Sequence, residues 1–128
     1  MRPEVEIAVQ DVQDLLELAE IAKQEGLQNR TVASLLIRAV LRGNDALCLK
    51  YLDETPTRHS HAPEYFQRLY ENGHVSDELS KYRTTINDLE QQKSTMEYRA
   101  TEISKNDLDR LEKRARRFIT NAVEPNVG

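Results

Sequence analysis

Apolar residues recur every three or four positions along almost the whole chain, and this spacing is typical of amphipathic helices. No segment alternates apolar and polar residues over a useful length, so no strand is predicted. The first predicted helix starts near Pro3 and ends at Gly26, since proline suits a first helical turn and glycine a C-terminus. Its apolar face comprises Val5, Val9, Val12, Leu16 and Ala19. Its opposite face is acidic and comprises Glu6, Asp14, Glu17 and Glu20.

A second helix is predicted from Asn29 or Thr31 to a stop between Asp53 and Pro56. It is apolar over most of its circumference, so we expect it to be the most buried element. Its apolar positions are Ala33, Leu36, Ile37, Val40, Leu41, Leu47, Cys48, Tyr51 and Leu52. Because Cys48 lies within this pattern, we interpret it as a small core residue and not as a reactive thiol. As the only cysteine, it also excludes a disulfide within the chain.

Three further helices follow, and each has a recognisable start or end. A short third helix begins at Pro63 and ends at Gly73. Ser76 can cap the fourth helix, while Ser104 and Asp107 form a capping-box-like start for the last one. Their apolar stripes are, in order, Ala62, Phe66 and Leu69; then Leu79, Tyr82, Ile86, Leu89 and Met96; then Leu108, Leu111, Ala115, Phe118 and Ala122.

These elements predict an all-α fold, an up-and-down antiparallel four-helix bundle plus one short extra helix, because short loops favour antiparallel neighbours. A length of 128 residues suits one domain, which we place at residues 1–124 with a frayed tail at 125–128. The formal net charge of −4 does not favour general nucleic-acid binding. The N-terminal residues are acidic and no apolar run is long enough for a membrane span, so we expect a cytoplasmic protein without membrane contact.

Asn44 and Asp45 interrupt the apolar faces of the second helix. A buried carboxylate costs several kcal/mol unless it is paired or hydrogen-bonded, so Asp45 needs a partner. Arg38 and Arg42 reach it along the helix if they turn toward that face. We interpret the two residues as a structural polar link between helix and loop. The alternatives are a site acid that binds a ligand and a position at an interface.

The loop after the second helix carries His59 and His61 beside Arg58. We predict that His61 faces Asp45 and fastens the loop to the bundle, while His59 is exposed. A metal needs three or four ligands, and no HExxH pattern is present, so we predict no metal site. No glycine-rich phosphate cradle is present either, and we expect no cofactor.

The stretch "RLEKRARRF" near the C-terminus places four cations at i, i+3, i+4 and i+7 of the last helix. These cations are Arg110, Lys113, Arg114 and Arg117. A basic C-terminal half interacts favourably with the helix dipole, so the stripe could be a solvated face. It could also pair with the acidic face of the first helix, within the molecule or across a dimer. The third interpretation is contact with the phosphates of RNA or of a nucleotide.

Three sequence blocks together resemble the HEPN domain family of small helical bundles. "LLIRAVLRGNDALCLKYL" is similar to the second helix of the family, and "RHSHAPEYFQRL" to the following loop, in which a histidine opens the next helix. "KSTMEYRATEISKNDLDRLEKRARRFI" adds a Lys-x3-Glu-Tyr step, a capped start and Ala-x2-Phe near the end. The resemblance covers most of the chain. It implies a bundle that is commonly dimeric, is often encoded beside a minimal nucleotidyltransferase, and in many members acts as a toxin or RNA-processing module.

Active HEPN members carry an Arg-x4–6-His motif whose histidine takes part in metal-independent RNA cleavage. The formal match here is Arg68 and His74, but Gly73 is expected to end the short helix between them. The usual nuclease signature is therefore absent or displaced, which argues against an enzyme. In a nuclease, His61 or His74 would supply the acid–base group and Arg58 or Arg68 the cation.

The leading hypothesis is a dimeric HEPN-like module that binds a partner protein, a nucleotide or RNA, in a toxin–antitoxin or nucleotidyltransferase-associated system. One alternative is a metal-independent endoribonuclease. Another is a non-catalytic structural or antitoxin scaffold. The candidate ligand-binding residues are Asn44, Asp45, His61, Arg110, Lys113, Arg114 and Arg117.

Overall fold

The computed structural model describes residues 2–128, which form helices joined by short turns. Since no strand occurs in these residues, the predicted all-α fold is confirmed. The α-helices are α1 (Pro3–Gln24), α2 (Asn29–Leu52), α3 (Ala62–Glu71), α4 (Tyr82–Arg99), α5 (Lys105–Phe118) and α6 (Glu124–Val127). Within the described part of the chain, no helix is both long and apolar enough to cross a membrane.

The four long helices run alternately up and down, which polar contacts between them make clear. Arg2 pairs with Asp53 and Arg42 with Asp11 between α1 and α2, and Arg30 donates to the Met96 carbonyl between α2 and α4. Arg114 pairs with Asp88 between α5 and α4, and Tyr82 at the start of α4 is hydrogen-bonded to Asn121 just after α5. Lys23 Nζ lies 2.9 Å from Glu112 Oε1 and joins α1 to α5. The arrangement agrees with the predicted bundle, and α3 is the short extra helix.

Helix α2 lies at the centre of the bundle, as its apolar circumference predicted, and it contacts α1, α3, α4 and α5. Gly43 lies where α2 meets the segment after α5. A Cβ atom at position 43 would lie only 2.9 Å from Val123 Cγ2 and 3.6 Å from Phe118 Cε2. The close approach of these two segments therefore depends on a residue without a side chain.

Glycines end α1 and α3 where the sequence predicted these helices to stop. Gly26 adopts a φ of 72° and Gly73 a φ of 75°, in the left-handed region that favours glycine. After Gly26, the Leu27 N–H donates to the Ala22 carbonyl at 3.0 Å, which satisfies a free carbonyl at the helix end.

Serines cap two of the helical segments, also as predicted. Ser104 Oγ accepts from the Asp107 N–H at 3.1 Å and begins α5. Ser76 Oγ accepts from the Glu78 N–H at 3.2 Å, but the segment that it caps is a 3-10 turn, Asp77–Lys81. Helix α4 itself begins only after this turn.

The C-terminal residues form an ordered structure in place of the expected frayed tail at 125–128. Helix α5 widens into a π turn at Ile119–Val123 and continues into α6. Pro125 has no N–H group, and its ring clashes with the carbonyl of Asn121 in regular α-helical geometry. The wider turn directly before Pro125 relieves this conflict.

Contacts with α2 hold this C-terminal segment in place. Val127 is buried, and the Asn126 carbonyl accepts from Lys50 Nζ at 2.7 Å and from Tyr51 Oη at 2.8 Å. Since these partners are far away in sequence, local pattern alone did not indicate that the tail is ordered.

Candidate anion-binding groove

An open surface groove of about 270 Å³ lies between the start of α4 and the end of α5. Lys81, Tyr82 and Thr85 line it from the α4 side, and Arg114 and Arg117 from the α5 side. The antiparallel pairing of the two helices brings these residues together, although they are about 30 positions apart in the chain. The groove thus combines three cations with an aromatic ring.

The burial of α5 determines which of its cations face this groove. Its apolar stripe, with Leu111 and Phe118, is buried in the core. Arg110, Arg114 and Arg117 follow at i, i+4 and i+7, so they form a row beside that stripe on the side facing α4. The predicted basic stripe therefore forms one wall of a groove.

A second, smaller cavity of about 180 Å³ continues the groove along α4 and α5. Arg114 lines both cavities, and Arg110 lines the second one together with Leu89 and Gln92. The cationic row extends over two helical turns, about 10 Å of helix. Lys113, the fourth cation of the predicted stripe, is exposed and lines neither cavity.

The groove cations differ in whether a carboxylate of the protein lies close enough to neutralise their charge. Arg114 Nη2 lies 3.0 Å from Asp88 Oδ2, and Arg110 Nη1 lies 3.9 Å from Asp107 Oδ1. Among the described residues, no carboxylate forms a salt bridge with Lys81 or Arg117. Two of the four cations are therefore available to an external anion.

Tyr82 is held rigidly at the base of the groove. It is largely buried, its ring packs against Phe118 with centroids 5.7 Å apart, and its hydroxyl accepts from Asn121 Nδ2 at 2.9 Å. Lys81 Nζ lies 5.4 Å from the Tyr82 ring centroid, within the range of a cation–π contact. This contact restrains the lysine beside the opening.

Asn44 forms the structural link that its position in the second helix predicted. Its side chain is completely buried, and Nδ2 donates to the Ala62 carbonyl at 3.2 Å, at the start of α3. The Cys48 thiol lies within 3.8 Å of Asn44 Oδ1. Burial raises the pKa of the Cys48 thiol to about 12, so the thiol stays protonated near neutral pH. Both residues belong to the packed interior.

Asp45 is paired with an arginine of its own helix. Arg42 Nη1 lies 3.2 Å from Asp45 Oδ2, and Arg42 Nε lies 2.8 Å from Asp11 Oδ2 on α1. Burial raises the pKa of Asp45, while Arg42 and the charge of His59 act in the opposite direction. The cluster joins α1 to α2 and neutralises the carboxylate that the sequence analysis singled out.

His59 is exposed, as predicted, but the predicted contact between His61 and Asp45 was wrong, because the histidine near Asp45 is His59. His59 and Asp45 line the same surface cavity of about 260 Å³, and His61 is exposed at the start of α3. These histidines are part of the 3-10 turn His59–His61, whose three residues per turn send side chains two positions apart in different directions.

The Arg68 and His74 side chains of the formal nuclease match each have their own partner. His74 stacks on Tyr51 with ring centroids 5.4 Å apart, and Arg68 pairs with Glu54. Arg58 directly precedes the 3-10 turn and His61 ends it, and the Arg58 carbonyl accepts from the His61 N–H at 3.0 Å. None of the three histidines, all of which the structure describes, lines the α4–α5 groove. Within residues 2–128, no three or more His, Cys, Asp or Glu side chains are grouped so that they could hold a metal ion.

Comparisons with protein-family models, with curated proteins and with solved structures gave no match for this chain. The resemblance to the HEPN family therefore stays a prediction. The groove residues Lys81, Tyr82 and Thr85 were missed in the sequence analysis, since their role depends on which helices are neighbours. Pairing the start of the fourth helix with the end of the last one would have placed Lys81 beside Arg117.

Proposed function

We propose that the protein is a non-enzymatic binding module whose α4–α5 groove holds the phosphates of single-stranded RNA or of a nucleotide. The observation that supports this proposal is the pair of unneutralised cations, Lys81 and Arg117, on opposite walls of one groove. Arginine binds phosphate through a planar fork of N–H donors, while lysine acts as a compact positive charge.

The positions of the histidines favour binding over cleavage. Metal-independent RNA cleavage needs a group that transfers protons close to the cations that hold the phosphate. His61 is exposed at the start of α3, His74 stacks on Tyr51 and His59 lies beside Asp45, and none of the three lines the groove. The same observations disfavour the alternative of an endoribonuclease that uses these histidines.

The acidic net charge of the chain is compatible with a local phosphate site. Charges separated by more than about 8–10 Å are largely screened at physiological salt, so a ligand in the groove responds mainly to the nearby cations. The remaining acidic surface repels nucleic acid outside the groove. We expect a short, defined contact and not a broad coating of the surface.

The resemblance to the HEPN family supplies the setting of this proposal. It supports a cytoplasmic homodimer that acts with a nucleotidyltransferase-type partner protein in a toxin–antitoxin or related system. A non-catalytic scaffold is the alternative, and it differs from the leading proposal because it needs no ligand in the groove.

Binding of a fluorescently labelled single-stranded RNA, followed by anisotropy, tests the proposal. We expect Arg117→Gln and Lys81→Gln each to weaken binding at least about tenfold, since hydrogen bonds to charged groups contribute about 1.5–3 kcal/mol. Lys113→Gln is the matched control, because it removes the same charge from α5 outside the groove. It should change the affinity less than twofold.

Three outcomes would contradict the proposal. The first is no binding of RNA or of ATP, and the second is an equal loss in Lys113→Gln, which would indicate unspecific attraction. The third is degradation of RNA in EDTA that disappears in His61→Ala or His74→Ala, which would indicate an enzyme. Competition with unlabelled ATP and inorganic phosphate distinguishes an RNA site from a nucleotide site.

A further inference from the structure

The outer face of α1 exposes a row of large apolar side chains. Ile7 is 59% exposed, Leu18 is 51% exposed and Ile21 is 46% exposed. Their spacing of eleven and three residues places them on one side of the helix, next to and outside the face whose residues are buried. The row extends over about 21 Å of helix. It is an unpartnered apolar stripe on the otherwise polar outer surface of α1.

Carboxylates surround this stripe. Helix α1 carries Glu4, Glu6, Asp11, Asp14, Glu17 and Glu20, against the single cation Lys23. Asp14 lies within the stripe itself, between Ile7 and Leu18, and Glu17 lies beside it. Both acids are exposed, and neither forms a salt bridge with another described residue. An interacting surface must therefore be both apolar and positively charged.

A second copy of the chain does not meet these requirements. Two α1 helices packed about a two-fold axis would centre near Asp14, midway between Ile7 and Ile21, and would bring like charges together. Helix α5 carries the necessary cations, but its apolar residues, such as Leu111 and Phe118, are buried in the core. An anionic lipid surface is equally unsuitable, because the carboxylates of α1 repel it.

We propose that this face of α1 docks a basic amphipathic helix of another protein. The apolar side of that helix covers Ile7, Leu18 and Ile21, and its flanking lysines or arginines pair with Asp14 and Glu17. Amphipathic helices are generally recognised through apolar anchor residues at helical spacing. Complementary charges around these anchors select the partner. The surface is separate from the α4–α5 groove, so a partner and a phosphate ligand can bind together.

The probe for this proposal is a synthetic helical peptide with leucines every three or four residues and lysines on either side of them. A second peptide with glutamates in place of the lysines is its control. We expect the lysine peptide to bind the full-length protein in calorimetry, and the glutamate peptide to show at least about tenfold weaker binding. Equal binding of both peptides, or no binding of the lysine peptide, overturns the proposal.

Variants of the protein locate the binding surface. Leu18→Gln/Ile21→Gln should weaken binding of the lysine peptide at least about tenfold, because two apolar anchors are lost. Tyr98→Gln is the matched control, since Tyr98 is 91% exposed on another helix and should have no effect. Asp14→Lys/Glu17→Lys should reverse the preference in favour of the glutamate peptide. All these positions are exposed, and circular dichroism checks that the variants are folded.

Two further results would assign the surface to another occupant and overturn the proposal. One is a wild-type dimer in sedimentation that becomes monomeric in Leu18→Gln/Ile21→Gln. The other is binding to vesicles of phosphatidylserine and phosphatidylcholine that the same substitutions abolish. RNA binding should be unchanged in this variant, so failure here can be distinguished from failure of the groove proposal.

Discussion

At the scale of single residues, Asn44 shows how one buried amide can position a whole loop. Its side chain is completely enclosed, and its amide donates to the first carbonyl of α3. A buried polar group is tolerated when it is hydrogen-bonded, and removing one partner leaves the other without a replacement. Such a change therefore removes stabilising free energy at the junction between α2 and α3.

We expect Asn44→Ala to lower the free energy of unfolding by about 2–3 kcal/mol, through the unsatisfied Ala62 carbonyl and the small cavity that remains. Urea denaturation measures this quantity. The control is Asn106→Ala, at an exposed position on α5, which should change stability by no more than about 0.5 kcal/mol. Equal effects of both substitutions would show that the Asn44 hydrogen bond does not stabilise the fold.

At the scale of elements, the crossing of α2 with the segment after α5 depends on Gly43. Alanine is favoured over glycine in a helix by up to about 1 kcal/mol, but here its Cβ would lie 2.9 Å from Val123 Cγ2. Overpacking of this kind costs about 1–3 kcal/mol. We therefore expect Gly43→Ala to destabilise the protein by about 1 kcal/mol.

A double-mutant cycle separates these two effects. In a Val123→Ala background the clash is relieved, so Gly43→Ala should become neutral or stabilising by up to about 1 kcal/mol, the difference in helix propensity. Thermal or urea unfolding of the four proteins gives the coupling energy. The same loss from Gly43→Ala in both backgrounds would exclude the proposed contact with Val123.

Glu112 of α5 forms salt bridges with Lys23 of α1 and with Arg116, and these make the free energy of unfolding depend on pH. Burial alone raises the pKa of Glu112, but hydrogen bonds from Lys23 and Arg116 outweigh it and leave the pKa below its usual value of 4.5. A carboxyl group with a lowered pKa in the folded state stabilises the protein above its unfolded pKa, and this contribution disappears as the pH falls through the folded pKa.

We expect Glu112→Gln to destabilise the protein near pH 7, and its difference from the wild type to shrink as the pH falls below about 4.5. Urea titrations at several pH values measure this difference. A difference that is constant across the acidic range would mean that Glu112 stabilises the fold by packing and not by its charge.

Helix boundaries were predictable because they depend on local features. The apolar spacing, Gly26, Gly73 and the cap Ser104 act within a few residues, and all of them perform the predicted role. The order of the tail was not predictable in the same way, since it depends on the contact between Asn126 and a distant helix. A 3-10 turn also determined which loop histidine lies near Asp45, and the sequence contains no strong signal for that turn.

At the scale of the whole molecule, the balance of charge differs between helices, with an excess of acids on α1 and an excess of cations on α5. Helix α1 presents carboxylates with an exposed apolar stripe, while α5 presents a cationic row to the groove with α4. Three of the groove cations, Arg110, Arg114 and Arg117, were predicted to lie on one stripe of the last helix from their spacing in the sequence. Lys81 was not included in that prediction, because its place beside them depends on α4 and α5 being antiparallel neighbours.

The most direct measurement of the phosphate-binding proposal is a two-dimensional amide NMR titration with a short single-stranded RNA. We expect the largest shifts at the start of α4 and the end of α5, around Lys81 and Arg117, with little change along α1. Shifts concentrated around His61 or His74 would contradict the proposal and favour a site at the histidines. An unchanged spectrum at millimolar RNA would exclude the groove as a phosphate-binding site.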